Sequence, residues 1–152
     1  MKIALASDHA GFELKEAMKT MLVKHIEVLD FGTTSESSMD YPDTGFPAAQ
    51  AVSEGMCDFG ILICGTGIGM SMVANKFPNV RASLCNDLFT AKMSRSHNDA
   101  NVLVLGGRII GKDLAMEIVK VWLTTPFEGA RHLNRIRKIK AIEERLNLYG
   151  TQ

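Results

Sequence analysis

The sequence predicts a three-layer α/β/α, Rossmann-like fold: a five-stranded parallel sheet covered by helices on both faces, with a long C-terminal helix. Three observations carry this. Short apolar or β-branched runs alternate with longer segments of helical period. Several of those runs are apolar at nearly every position, as strands buried on both faces must be. Finally, 152 residues suit one compact domain spanning 1–152, whereas two domains would each be small and poorly buried.

The elements follow in order. Residues 2–7 (KIALAS) read as the first strand, and 11–24 as a helix with Phe12, Leu14, Met18, Met21 and Leu22 near one face. Residues 26–31 form a second strand that opens into a polar loop, 32–43, ending in Tyr41-Pro42-Asp43. A short helix is expected over 47–55 and a fully apolar third strand over 58–64. A glycine-rich turn then leads into a helix through 70–76, and Pro78-Asn79 breaks the chain before a strand at 80–85. Residues 88–96 are helical, 101–105 form the fifth strand, and 112–123 form another helix. Thr125-Pro126 ends that helix, and 129–148 read as one long, amphipathic, strongly basic helix suited to extend onto a partner subunit. In such sheets ligands sit beyond the carboxyl ends of the strands. Asp8-His9 and Gly65 to Gly69 are expected there, together with His97-Asn98 in a polar loop entering the fifth strand.

Composition narrows the function. Lys plus Arg and Asp plus Glu number 17 each, so no net charge draws the chain to nucleic acid or anionic lipid. A bound anion must be held by a local cluster of donors. No apolar run approaches a membrane span, and no signal peptide opens the chain. Three cysteines, an odd number without CxxC spacing, point to a reducing, cytoplasmic setting.

The turn Cys64-Gly65-Thr66-Gly67-Ile68-Gly69 is the first candidate for chemistry. Its glycines permit tight geometry and leave backbone N–H groups bare at the start of a helix. It lacks the GxGxxG spacing of a dinucleotide site and the Lys-Ser/Thr of a P-loop. A nest of donors for a carbonyl oxygen or oxyanion remains. Cys64 at its mouth is either a base or nucleophile activated by the helix start, or a buried structural cysteine of the kind Cys57 and Cys85 are expected to be. Thr66 either donates to a ligand or caps the helix. Asp8 either orients His9 and binds hydroxyls or caps the next helix. His97 is a plausible acid/base with a near-neutral range. Arg131 and Arg135, four apart, either converge on one phosphate or lie on a solvated face, and Arg108 is a third phosphate candidate. No HxxxH pair or Cys/His cluster points to zinc, so no metal is implied.

Read together, SDHAG, DYPD, ILICGTGIGMS, SRSHNDANVLVLGGR and EGARHLNRI occur in this order. The chain thereby closely resembles, over nearly its whole length, the ribose-5-phosphate isomerase B family, which includes the galactose-6-phosphate isomerase subunits. The resemblance implies interconversion of aldose and ketose phosphates through an enediolate, without metal or organic cofactor. It implies that Cys64 moves the proton between two substrate carbons and that His97, assisted by Thr66, opens the sugar ring. Gly65, Gly67, Ile68 and Gly69 would hold the enediolate oxygens. Asp8, His9 and Asn98 would contact substrate, and Arg108, Arg131 and Arg135 would grip the phosphate, with His132 and Tyr41 in support. Some members use a carboxylate further along the turn; here Met70, Ser71 and Met72 stand there, which leaves Cys64 as the base.

The resemblance also implies a homodimer or tetramer with shared sites. The expected division gives the loops after strands one and three to one subunit, and His97, Asn98 and Arg108 to its partner. Ribose 5-phosphate is the leading substrate. Other sugar phosphates (a hexose 6-phosphate or a tetrose phosphate), a non-catalytic sugar-phosphate sensor and a flavodoxin-like nucleotide module are the alternatives.

Overall fold

The structure, a computed structural model, describes residues 1–149, so only the last three positions of the expected 1–152 domain lie outside the described residues. Its strands are β1 (Lys2–Ser7), β2 (Glu27–Asp30), β3 (Phe59–Cys64), β4 (Ala82–Leu84) and β5 (Val102–Gly106). Its helices are α1 (Phe12–Leu22), α2 (Pro42–Ser53), α3 (Ile68–Ala74), α4 (Leu88–Asn98), α5 (Lys112–Thr124) and α6 (Ala130–Tyr149). The sheet is parallel throughout in the order β2-β1-β3-β5-β4. Chain direction across the sheet reverses between β1 and β3, which makes the crevice beyond Ser7 and Cys64 the switch point where such sheets bind ligands.

Alternation along each strand divides the core into two layers. Ile3, Leu5, Ile61, Ile63, Leu103 and Leu105 face α1 and α5, where Met18, Ile118 and Trp122 are fully buried. Ala4, Ala6, Leu62, Cys64, Val102 and Val104 face α2 and α3. That second face is built from small residues, and α2 packs close: a Cβ added at Gly60 would stand 3.2 Å from a Val52 methyl.

The end of α4 is fixed unusually firmly. Asp99 caps it in the left-handed region at φ 45°, a strained choice for a residue with a side chain. Arg95 Nη1 donates to Asp99 Oδ1 at 2.8 Å and to the Ala100 carbonyl at 2.7 Å. Arg81 donates to the Asp99 carbonyl at 2.9 and 2.7 Å. The last turn of α4 is thereby clamped to the start of β5.

Several boundaries differ from expectation. Helix α2 begins at Pro42 rather than 47, because Pro42 takes the first-turn position where a missing N–H costs nothing. Pro47 lies inside the helix. The edge strands β2 and β4 are shorter than the apolar runs that suggested them. Helix α4 runs through Asn98, so His97 and Asn98 sit on its last turn and not in a loop.

Lys15, on the inner face of α1, is buried. Its Nζ donates to Asp30 Oδ2 at 2.7 Å and also contacts Glu16, while Lys19 reaches the same Asp30 oxygen at 2.6 Å. Burial works against the Asp30 charge, but hydrogen bonds from Lys15, Lys19 and the Gly32 N–H outweigh it and hold the carboxyl below its ordinary value. A depressed folded value means that the stabilisation is present above the unfolded range and is lost as pH falls through the folded one. Asp30→Asn should therefore unfold at lower urea concentration than the parent at pH 7, with the gap closing under acid. Parallel urea midpoints across the whole acid range would contradict this.

Candidate active site

At the carboxyl end of β1, Asp8 is buried and its Oδ1 accepts from the Ala10 and Gly11 N–H groups at 2.9 and 3.1 Å. It caps the short helical turn His9–Gly11 through that one oxygen. Orientation of His9 comes instead from the long loop: the Met39 N–H donates to its Nδ1 at 3.2 Å.

At the end of β3, Cys64 is 4% exposed and its Sγ accepts from the Gly67 N–H at 3.2 Å. Gly67 has φ +80°, and a Cβ there would stand 2.4 Å from Leu84 Cδ1 and 3.0 Å from the Leu105 carbonyl carbon. Only glycine fits both the backbone and the space. Thr66 Oγ1 accepts from the Ile68 N–H at 3.3 Å, and Ile68 itself is half exposed. The Tyr41 ring covers Gly69 so closely that an added Cβ would lie 2.5 Å from it. The turn after β5 is tied to the same place: the Gly107 N–H donates to the Cys64 carbonyl at 2.8 Å and the Arg108 N–H to the Gly65 carbonyl at 3.0 Å. Asp8, His9, Tyr41, Cys64, Gly65, Thr66, Gly67, Ile68, Gly69 and Arg108 thus converge in one group.

A second group forms elsewhere. The His97 ring stacks on His132 with centroids 4.2 Å apart and planes 9° from parallel. Arg131 Nε approaches His132 Nε2 at 3.4 Å, and Arg135 Nη1 approaches His132 Nδ1 at 3.3 Å. The two arginines, themselves exposed, therefore flank a buried imidazole from the solvent-facing side of the helix. Burial, then the positive field of His97, Arg131 and Arg135, push the His132 imidazole below its usual range, with Glu128 partly opposing them. Glu128 Oε2 lies 3.6 Å from His132 Nε2 and 3.9 Å from His97 Nε2. Asn98 adjoins His97 on α4, and its carbonyl accepts from Arg81 Nε at 3.1 Å.

These groups lie at opposite ends of the sheet. Cys64 pairs with Gly106 at the carboxyl end of β5, whereas His97 and Asn98 precede Val102 at its amino end. Four residue steps at about 3.3 Å each separate those ends by roughly 13 Å. The expectation that His97-Asn98 joins the carboxyl-end loops is therefore corrected, because in a parallel sheet the segment entering a strand lies at the far end from the one leaving it. Arg108 is corrected too: it sits beside Gly65 in the same chain, not with His97 and Asn98. Glu128 went unnoticed in the sequence, although its place four residues before His132, within EGARH, was a usable signal. Among the described residues, His97, Glu128 and His132 bring their nitrogen and carboxylate atoms within 4.8 Å of one another.

The comparisons with known proteins are decisive at this point. Residues 3–139 match the model of the Ribose/Galactose Isomerase family. The chain belongs to that family. Ribose-5-phosphate isomerase B of Escherichia coli is 48% identical over 147 residues, covering 96% of this chain and 99% of that protein. The Clostridium thermocellum ribose-5-phosphate isomerase B structure superposes with a TM-score of 0.94 at 51% identity, covering 96% of this chain and 99% of that one. The Mycoplasma genitalium ribose-5-phosphate isomerase B structure, solved with bound ribulose 5-phosphate, gives 0.89 at 40% identity, covering 94% and 96%. Membership in this isomerase family agrees with a donor nest beside a thiol and arginines grouped around an imidazole.

Two outcomes are expected from this geometry. Gly67→Ala should lower the unfolding free energy by about 2 kcal/mol or more, from backbone strain plus the Leu84 contact; an unchanged urea midpoint would contradict the crowding. Nuclear magnetic resonance titration should find the His132 ring still neutral at pH values where an exposed histidine is already half protonated.

Proposed function

We propose that the protein interconverts ribose 5-phosphate and ribulose 5-phosphate, and that each active site is completed by a second copy of the chain. The observation that carries the shared site is the separation of the two groups. A thiol with an oxyanion nest stands at one end of the sheet, and an imidazole with two arginines at the other, too far apart to act on one pentose phosphate. The isomerase names of the relatives and the ribulose 5-phosphate bound in the Mycoplasma genitalium structure support the substrate. Ile68, Met72, Leu88 and Phe89, exposed at 50, 61, 43 and 72%, form apolar surface at the carboxyl end that a second copy would cover. A homodimer is the simplest assembly that does so.

In this reading Arg131 and Arg135, with Arg108 from the other copy, bind the phosphate through charge-assisted hydrogen bonds. His97 takes the proton of the anomeric hydroxyl and returns it to the ring oxygen, Thr66 assisting, so that the ring C–O bond breaks and the aldehyde forms. The Cys64 thiolate then removes the proton from C2. Charge moves to the carbonyl oxygen at C1, where the N–H groups of Gly65 and Gly69 meet it, joined by those of Gly67 and Ile68 as they leave Cys64 Sγ and Thr66 Oγ1. Returning the proton to C1 and shifting the hydroxyl proton gives the ketose. The carbon oxidised and the carbon reduced are neighbours in one molecule, so no external electron acceptor enters. Asp8, His9, Tyr41, Asn98 and His132 line the substrate. Three free, buried cysteines support a reducing, cytoplasmic setting, and no described helix is long and apolar enough to cross a membrane.

A panel of pentose and hexose phosphates should show turnover greatest on ribose 5-phosphate. Cys64→Ala and His97→Asn should each lower kcat by about 100-fold or more; full activity in both would sink the mechanism. Mixed and allowed to exchange, the two inactive variants should regain about a quarter of parental activity, because half the dimers are mixed and each has one intact site. Proven exchange without recovery would place each site within a single copy.

A further inference from the structure

Glu128 belongs to none of the roles above, yet it is the acidic group that joins His97 and His132. Its own N–H donates to the Ser96 carbonyl at 3.0 Å, which sets its side chain beside the two rings. We propose that His97, Glu128 and His132 form a binding site for a borderline-soft divalent transition ion, zinc above all, and that its occupancy switches the isomerase off.

The donor set is two imidazole nitrogens and one carboxylate oxygen, which zinc takes in three-ligand sites that keep a position open. Ligands around a tetrahedral zinc with bonds of about 2.0–2.1 Å stand about 3.4 Å apart. The Glu128 oxygen is 3.6 Å from His132 Nε2 and 3.9 Å from His97 Nε2, so two edges of the triangle are nearly set. The third requires the stacked rings to splay, and His97 and Glu128, with side chains 35 and 55% exposed, have room to move while His132 stays anchored. Magnesium and calcium prefer several oxygen ligands, and one carboxylate offers them little. A ligating imidazole must be neutral, and the burial and positive neighbours of His132 favour that form. Arg131 and Arg135 act against the ion: both would have to swing off the His132 ring, and their charge repels a cation. The expected affinity is therefore micromolar, far weaker than a closed structural zinc site.

Occupancy of the site does not depend on the proposed reaction. Inhibition does rest on it, because an imidazole nitrogen bonded to zinc cannot carry the ring-opening proton.

Titrating phosphate-free protein with zinc chloride in a calorimeter should show one ion per chain. The same result is expected on Cys64→Ala protein, which removes the thiol at the crevice as a competing ligand. Glu128→Gln should weaken zinc binding tenfold or more while leaving the circular dichroism melt close to parental. In the assay, micromolar zinc should inhibit the parent reversibly on chelation, and Glu128→Gln should need about tenfold more. Equal zinc affinity with and without Glu128, or magnesium binding as well as zinc, overturns the site. Glu128-dependent binding without inhibition leaves the site standing but overturns the switch, and with it the ring-opening role given to His97.

Discussion

All five strands run the same way, and the rest of the molecule is arranged around that fact. In a parallel sheet every segment entering a strand lies at one end and every segment leaving it at the other, with no hairpin to bring them together. Cys64 leaves β3; His97 enters β5. However the loops adjust, the strand's length stands between them. The carboxyl end gains the helix starts, the glycine-rich turn and the switch point between β1 and β3. The amino end gains α4's last turn and the first turn of α6, and with them an imidazole pair and two arginines.

Close packing of turns keeps the carboxyl-end group together. The turn after β5 donates two backbone hydrogen bonds to the turn after β3. Gly107 approaches the Ala10 carbonyl, and Gly106 the Thr66 carbonyl, so closely that a Cβ at either would stand 2.9 Å away. Cys64 therefore sits on backbone fixed from three sides, which is the preorganisation that stabilising a developing charge needs. The amino-end group is fixed differently. Side chains hold it: Arg81 and Arg95 grip Asp99, and Trp122 Nε1 donates to Ser94 Oγ at 3.1 Å beneath α4.

Most of the fold was legible because period and burial agree: strands apolar on both faces and helices apolar on one leave little choice of layering. The misread start of α2 came from two prolines, 42 and 47, each acceptable as a first-turn residue, and nothing local says which the chain uses. Residues 97 and 98 look like loop because Ser, His, Asn and Asp favour it; the clamp on Asp99 that extends the helix is made by Arg81, from another strand's approach. The chemistry of the turn at 64 to 69 was readable in part. Whether Cys64 is buried depends on the turn after β5, about 40 residues away, whereas the Thr66 to Ile68 hydrogen bond is local. His9 could not be traced to its partner, because a main-chain N–H at Met39 leaves no mark in the choice of side chain. Glu128 was hidden for the opposite reason: one carboxylate in a basic segment reads as charge balance until the fold sets it against an imidazole pair.

The contact between Tyr41 and Gly69 reaches beyond this one molecule. The ring stands where any side chain at 69 would begin, so the floor of the crevice cannot be altered from one position alone. Across descendants of a common ancestor, a larger residue at 69 becomes acceptable only where the ring at 41 has been lost or turned aside. The two positions therefore share one space, and a side chain at 69 fits only with the Tyr41 ring turned aside or replaced.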